Sequence, residues 1–495
     1  MSHLSHCARR AHLAVPLIVG LLAPHRRLGA QRTSLARADS DLIARVLVAE
    51  DRRDARDEAI ATALRHRDER VRAIARRALG RIGDSLFASR DSIPPVVSPP
   101  ALVGWPEPAW RLRYRDLAAG RNDCAVLRGA LDDSVWHVRL RAVDLAPVTC
   151  RLDPAFMSTI KQWIDSLPAD ASHRRPGGVS WQAAAHALVA LARIQHDSAR
   201  PRIALLAIHP QWAVRVYAAR AAAVVGDTAR LRALAADPDD NVKEAAIAAL
   251  SKITHHADDD IYIAALASDG AQAVRAAAIA LDSSPRPDAR LAANAMFAKW
   301  VARQIASARD TRRALLAAAG RPASDDRPPP NGSGAPPRLV ALALGADVRL
   351  RVTLAAESGG GSFVVRLRGD VAPMMAARVL ALAASGYYDG HVWQRVEPDF
   401  VVQGGGPGAN EYVGYDHYLR DELGTVPHVR GTVGMSTRGH DTGDAQWFFN
   451  LRDNQRLDRD YTVFADVVSG MEVVDGIMEG DVIQSIAEEP AGSGR

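Results

Sequence analysis

Between Tyr387 and Gly408 one arginine and one amide, Arg395 and Gln403, stand in a run of aromatic and aliphatic residues: Trp393, Val396, Phe400, Val401 and Val402. Such residues build a strand, and Gly404 to Gly406 close it. A guanidinium in an apolar strand is costly unless it reaches a partner or a solvent-filled cleft. Arg395 and Gln403 therefore read either as two polar groups on the wall of an apolar pocket or as part of an edge strand whose arginine faces water. Three other constellations are weaker. Ser436, His440 and Asp441 lie close in sequence, but nucleophile, base and orienting acid are recognised by geometry and usually come from separate elements. Gly404 to Gly406 lack the following helix that a phosphate loop needs. His255 and His256 beside Asp258 to Asp260 fit a solvated turn better than a metal site, and no cofactor or metal is expected.

The elements around Arg395 are short. Period-2 patterns at Val348–Leu354 and Phe363–Leu367 flank Glu357 to Gly361 and predict a β-hairpin. Ala372–Ala384 is predicted as a helix, with Pro373 in its first turn and Gly386 after its end. Gly431–Ser436, Gln446–Asn450 and Tyr461–Val468 are further strand candidates, and a short helix is expected over Met471–Ile477. Many short strands with few helices suggest a compact barrel.

The motifs DVAPMMAARVLALAASGYYDG, WQRVEPDFVVQGG, GTVGMS, DAQWFFN and RLDRDYTVFADVVSGMEVVDGI follow one another through residues 340–487. In that order they resemble cyclophilin-type peptidyl-prolyl isomerases. The resemblance implies a closed β-barrel with flanking helices over 338–490, and an enzyme that isomerises X–Pro bonds of proline-containing polypeptide clients and assists their folding. It places Arg395 on the catalytic arginine, and Phe400 and Gln403 on the pocket phenyl and amide. Val401 stands where Met is usual. Gln446, Phe448, Leu457 and Tyr461 fall on the remaining substrate-binding positions, and Ser436 and Thr437 stand where Ala and Asn are common. Gln394 departs from the usual His, Gly406 from Asp, and Arg456 from an aromatic that contacts the family's cyclic-peptide inhibitor. The last departure lowers the expectation of tight inhibitor binding. The alternative function is a non-catalytic scaffold whose barrel only binds proline-containing segments.

Upstream, Arg321 to Pro337 (RPASDDRPPPNGSGAPP) has no apolar face to bury and reads as an extended linker. Before it, over 39–320, a short pattern recurs: Val, a basic residue, two residues, then Ala. It begins at Val71, Val138, Val214, Val242 and Val274. Starts about 30 residues apart, or about twice that, mean stacked helical hairpins. In the first unit Val71, Ile74, Ala75, Ala78, Leu79 and Ile82 form one apolar stripe, with Asp68 placed to cap the helix. These units resemble HEAT repeats, which implies an all-α solenoid that recruits clients or a protein partner. The basic residue after each Val is expected to reach an aspartate in a neighbouring turn. The Pro-rich stretch Ile93 to Pro108 interrupts the array, and Trp105 and Trp110 are expected to pack on the solenoid.

At 495 residues the chain exceeds one ordinary core, and 48% hydrophobic with 24% charged residues is normal for soluble protein. The pI of 9.3 invites a nucleic-acid reading. From Arg338 onward, however, 14 basic face 22 acidic residues, so the basicity is arginine dispersed over the front helices, a solvated surface rather than a nucleic-acid patch. Residues 1–30 read as a signal peptide: Arg9 and Arg10, an apolar run from Ala11 to Ala23, then Leu28-Gly29-Ala30. Export to the periplasm or another extracytoplasmic space is expected, with a cytoplasmic location if that segment is not a signal. Beyond it no run is long enough for a stable membrane span. Of three cysteines, Cys124 and Cys150 could pair after export.

Overall fold

The computed structural model describes residues 35–83, 104–168, 180–327 and 334–489. The expected leader, residues 93–103 of the Pro-rich stretch and residues 328–333 of the linker lie outside them.

Eight strands form one sheet: β1 Arg349–Leu354, β2 Ser362–Leu367, β3 Arg395–Val396, β4 Val401–Gly404, β5 Thr432–Met435, β6 Trp447–Asn450, β7 Val463–Ser469 and β8 Ile483–Glu488. Their order is β3-β4-β6-β5-β7-β2-β1-β8, antiparallel at every joint. The sheet curls until its two ends meet. Backbone bonds from Trp393 N–H to the Asp481 carbonyl (2.9 Å), from Ile483 N–H to the His391 carbonyl (2.8 Å) and from Gly480 N–H to the Trp393 carbonyl (2.9 Å) tie the approach to β3 to the approach to β8. Inside the curl Phe363, Trp393, Trp447, Phe449 and Phe464 are fully buried. The Pro373–Ala384 helix packs over this core, and the Glu422 carboxylate accepts the N–H groups of Met374 (3.1 Å) and Met375 (2.8 Å) at its first turn.

The helical part is built from alanine-rich elements that approach closely. Trp181–Ile194, Trp212–Val224, Asp240–Thr254, Ala271–Ala280 and Arg309–Ala318 form a row in which each helix packs on the next. Cys124 and Cys150 are bonded, with Cα atoms 5.4 Å apart. The recurring basic residue behaves differently from the expectation. Arg72 donates to the carbonyls of His66 (2.6 Å) and Arg67 (2.8 Å), Arg139 to that of Asp133, and Arg215 to those of His209 (2.8 Å) and Pro210 (3.1 Å). Each folds back five or six residues and satisfies the turn before its own helix. Of the five, only Arg215 also makes a two-pronged ion pair with a downstream turn aspartate, Asp237, at 2.8 Å.

The first three helices, Arg37–Arg52, Glu58–Leu64 and Glu69–Gly83, bury their apolar stripes in the same core as the sheet. Asp68 caps the third by accepting the Arg70 N–H at 2.9 Å. Arg81 is buried at this junction. It pairs with Glu50 at 2.8 Å and donates to the Val371 carbonyl at 2.6 Å and the Leu423 carbonyl at 3.2 Å. Trp110 stacks on His137 among the helices (5.2 Å between rings), as expected. Trp105 does not: its indole N–H donates to the Val467 carbonyl of β7 at 3.1 Å, and its ring lies against Gly431, so it is packed on the sheet domain.

Candidate active site

Strand register explains how the key side chains meet. Arg395 on β3 lies opposite Gln403 on β4, Gln403 opposite Phe448 on β6, and Phe448 opposite Gly434 on β5. Directly opposed residues share a sheet face, so guanidinium, amide and phenyl form one row. Gly434 completes it by having no side chain: a Cβ there would lie 2.3 Å from Phe448 Cζ. The glycine run after Gln403 has a similar origin. A Cβ on Gly404 would lie 2.6 Å from the Trp393 ring, and Gly405 has φ +87°.

Beside this row is a cavity of about 450 Å³ lined by Arg395, Phe400, Val401, Gln403, Ser436, Thr437, Phe448, Leu457 and Tyr461, with Glu411, Arg456 and Asp460 at the same wall. Nine of the ten residues expected at the site therefore share one cavity. Gln446 does not line it. Its amide is buried, donates to the carbonyls of Asn410 (3.0 Å) and Val413 (2.9 Å), and accepts from Gln394 Nε2 (2.8 Å), so it holds the 410–413 loop from beneath.

The apolar end is fixed by rings. Tyr461 meets Phe448 edge-on at 5.7 Å, and His428 stacks on Phe448 at 5.9 Å. Burial pushes the His428 pKa down, against the opposing pull of Asp458, which favours a neutral imidazole behind the phenyl. Sequence reasoning missed His428, and nothing in its surroundings signals it.

At the polar end, Arg395 Nη1 donates to Gln403 Oε1 at 3.3 Å. Its Nε donates to Glu397 Oε1 at 2.8 Å, and Nη2 reaches the same oxygen. Glu397 was also missed, although strand alternation places residues 395 and 397 on one face. The arginine side chain is 45% exposed, so it stands at the cavity mouth in contact with water. The turn between β3 and β4 is clamped by the helices. Arg111 donates to the Pro398 carbonyl at 2.8 Å and pairs with Asp475 at 2.9 Å, while Arg115 pairs with Asp399 at 2.7 Å. Arg456 lies over the Phe400 ring, 4.1 Å from its centre.

His440 and Asp441, weighed above with Ser436, are turned to other partners: His440 to Asp421 at 3.4 Å and Asp441 to Arg420 at 2.9 Å. Asp258 is taken by Arg232 at 2.7 Å.

The family described as cyclophilin type peptidyl-prolyl cis-trans isomerase/CLD matches residues 351–492. A peptidyl-prolyl cis-trans isomerase of Helicobacter pylori strain J99 is 34% identical over 139 residues, which cover 27% of this chain and 86% of the relative. The chain belongs to the cyclophilin-type peptidyl-prolyl cis-trans isomerase family. Peptidyl-prolyl cis-trans isomerase B of Bacillus subtilis is 33% identical over 132 residues, 26% of this chain and 92% of that protein. The crystal structure of a Cryptosporidium parvum cyclophilin type isomerase aligns at 21% identity with a TM-score of 0.27, over 29% of this chain and 98% of that one. The chain is thus a peptidyl-prolyl isomerase whose cyclophilin domain is joined to a large helical part that these matches leave uncovered.

Proposed function

We propose that Arg395 is the catalytic group of this isomerase and that Phe400, Val401, Phe448 and Leu457 grip the substrate's proline ring. An X–Pro amide resists rotation because its resonance must be broken, a barrier of roughly 18–20 kcal/mol. At the twisted transition state the nitrogen regains a lone pair and the carbonyl loses conjugation. A guanidinium held beside the apolar end of this cavity, where Phe400, Val401, Phe448 and Leu457 meet, donates to that state and needs no nucleophile. Its planar fork is rigid. Donors fixed in advance act most strongly where water is scarce.

Gln403 orients this fork from across the strand pair. Tyr461, Ser436 and Thr437 contact the substrate on either side of the ring, whereas Gln446 acts only by holding the loop beneath. The observation that carries this reading is the Arg395–Gln403–Phe448 row beside one 450 Å³ cavity. A tetrapeptide with a photoreactive proline analogue tests it. Labelling of Phe400, Phe448 or Leu457 is expected, and labelling confined to the helical part would contradict it.

The row of helical hairpins supports a HEAT-like solenoid that recruits clients. The bond between Cys124 and Cys150 supports a site of action outside the cytoplasm, where disulfides persist. No helix among the described residues is long and apolar enough to cross a membrane.

A further inference from the structure

The proline cavity does not end at Arg395. Arg395, Gln403 and Glu411 also line a second, larger space of about 1010 Å³ between the sheet domain and the helices. Its far wall is made by two helix faces. On Asp240–Thr254 the lining residues fall at helical spacing: Glu244 and Ala245, Ala248 and Ala249, then Lys252 and Ile253. On Trp212–Val224 they are Trp212, Val216, Arg220 and Ala223, again one face.

The alanines are partly exposed and keep the wall flat, so a polypeptide backbone can lie close to it. Ile253 is 40% exposed and Trp212 partly exposed, which leaves apolar surface at intervals along the groove. Asn241 and Glu244 are bonded to the Gly408 carbonyl and the Asn410 amide, so the open face runs from Ala245 to Ile253, ~12 Å, enough for roughly three to four residues of extended chain. The opposite wall is built by Val392, Gln394 and Arg395 with the Ala409–Glu411 loop. A helix face of small residues opposite this wall leaves a groove that suits an extended chain.

We infer that this groove seats the stretch of an unfolded client that flanks the isomerised proline, so that the helical part is a substrate subsite of the enzyme itself. The inference rests on the assignment of the 450 Å³ cavity as the proline pocket. The occupant is an extended polypeptide with apolar side chains next to its proline. Three features select it: continuity with the catalytic arginine, the exposed apolar surface of Trp212 and Ile253, and the charges of Lys252 and Arg220 along the same wall.

The test uses the full chain and two substrates, a proline tetrapeptide and an unstructured dodecapeptide with a central proline and apolar flanks. Exchange NMR gives kcat/KM for each. The dodecapeptide should be favoured about tenfold, the gain of partly burying one apolar side chain. Ala249→Trp, which fills the groove, and Ile253→Glu, which alters only an exposed side chain, should each abolish that preference. The second variant serves if the first fails to fold. A preference unchanged in both variants overturns the inference. A parent that associates into dimers dispersed by Ala249→Trp overturns it in favour of a second copy in the groove. If the parent turns over neither peptide, the proline-pocket assignment itself fails, and the subsite falls with it.

Discussion

Glu397 is the residue whose replacement says most about how Arg395 works. Two of the guanidinium's nitrogens, Nε at 2.8 Å and Nη2, are directed at one oxygen of Glu397. To donate to a substrate amide, the fork must give up part of that pairing. The two side chains are 45% and 48% exposed, so water screens them, and such a pair is worth ~0.2–1 kcal/mol. If the whole amount opposes the transition state, Glu397→Gln raises kcat/KM by roughly 1.4- to 5-fold, since 1.36 kcal/mol is a factor of ten. The change keeps the side chain's shape and removes its charge. A protease-coupled assay on a proline tetrapeptide measures it. Salt supplies a second axis: added salt should raise the parent's rate by weakening the pair and leave the variant's rate flat. A variant slower than the parent at every salt concentration would refute the reasoning, because Glu397 would then be aiming the arginine rather than competing for it.

Three further outcomes are expected. Gly434→Ala puts a Cβ 2.3 Å from Phe448 Cζ and forces the ring toward the cavity; both kcat/KM and thermal stability should fall, the latter by ~1–3 kcal/mol, and a fully active, equally stable variant would contradict the row described above. The Cys124–Cys150 bond spans 26 residues, so replacing both cysteines by serine should lower stability by about 3 kcal/mol in urea unfolding, while a midpoint insensitive to the change would show that the bond does not form. Burial pushes the Glu244 pKa up to about 7, with Asn410 donating to it at 2.7 Å, Arg275 at 3.8 Å and Glu411 nearby. The folded protein holds that proton more tightly than the unfolded chain, so this contribution is complete below the unfolded pKa and is lost as pH rises through the folded one. Glu244→Gln should therefore match the parent near pH 4 and exceed it at pH 8 by ~1–3 kcal/mol, and a gap that does not change with pH would contradict the assignment.

The strands were legible where alternation is strict. Leu350 and Val352 on β1 are buried with residues 349 and 351 turned outward, and the β1–β2 hairpin follows with glycines at positive φ between. β8 was not legible, because Ile483 and Ile486 are its buried residues and their spacing of three breaks the period of two. The short Leu339–Ala343 helix, at the edge of what reads as linker, is held by burial of Leu339 and Leu342 against the sheet domain, a tertiary contact that five residues cannot announce. Charged residues misled most. Arg81 and Arg111 read as solvated helix surface, yet both are buried against the sheet domain, where carboxylates and backbone carbonyls of distant segments satisfy them. Those partners lie 287 to 364 positions away, beyond the reach of any local pattern, except Glu50. The cavity residues were found because the motifs keep family order. Gln446 lies beneath the cavity because the 410–413 loop takes its amide, and that loop carries no recognisable signal.

The most direct measurement is tetrapeptide isomerisation by the full chain carrying Arg395→Ala. The side chain is 45% exposed, so truncation should leave the unfolding temperature unchanged. Loss of a preorganised donor should lower kcat/KM by about 10²- to 10³-fold. A folded Arg395→Ala protein that isomerises the peptide as fast as the parent would contradict the role given to that arginine.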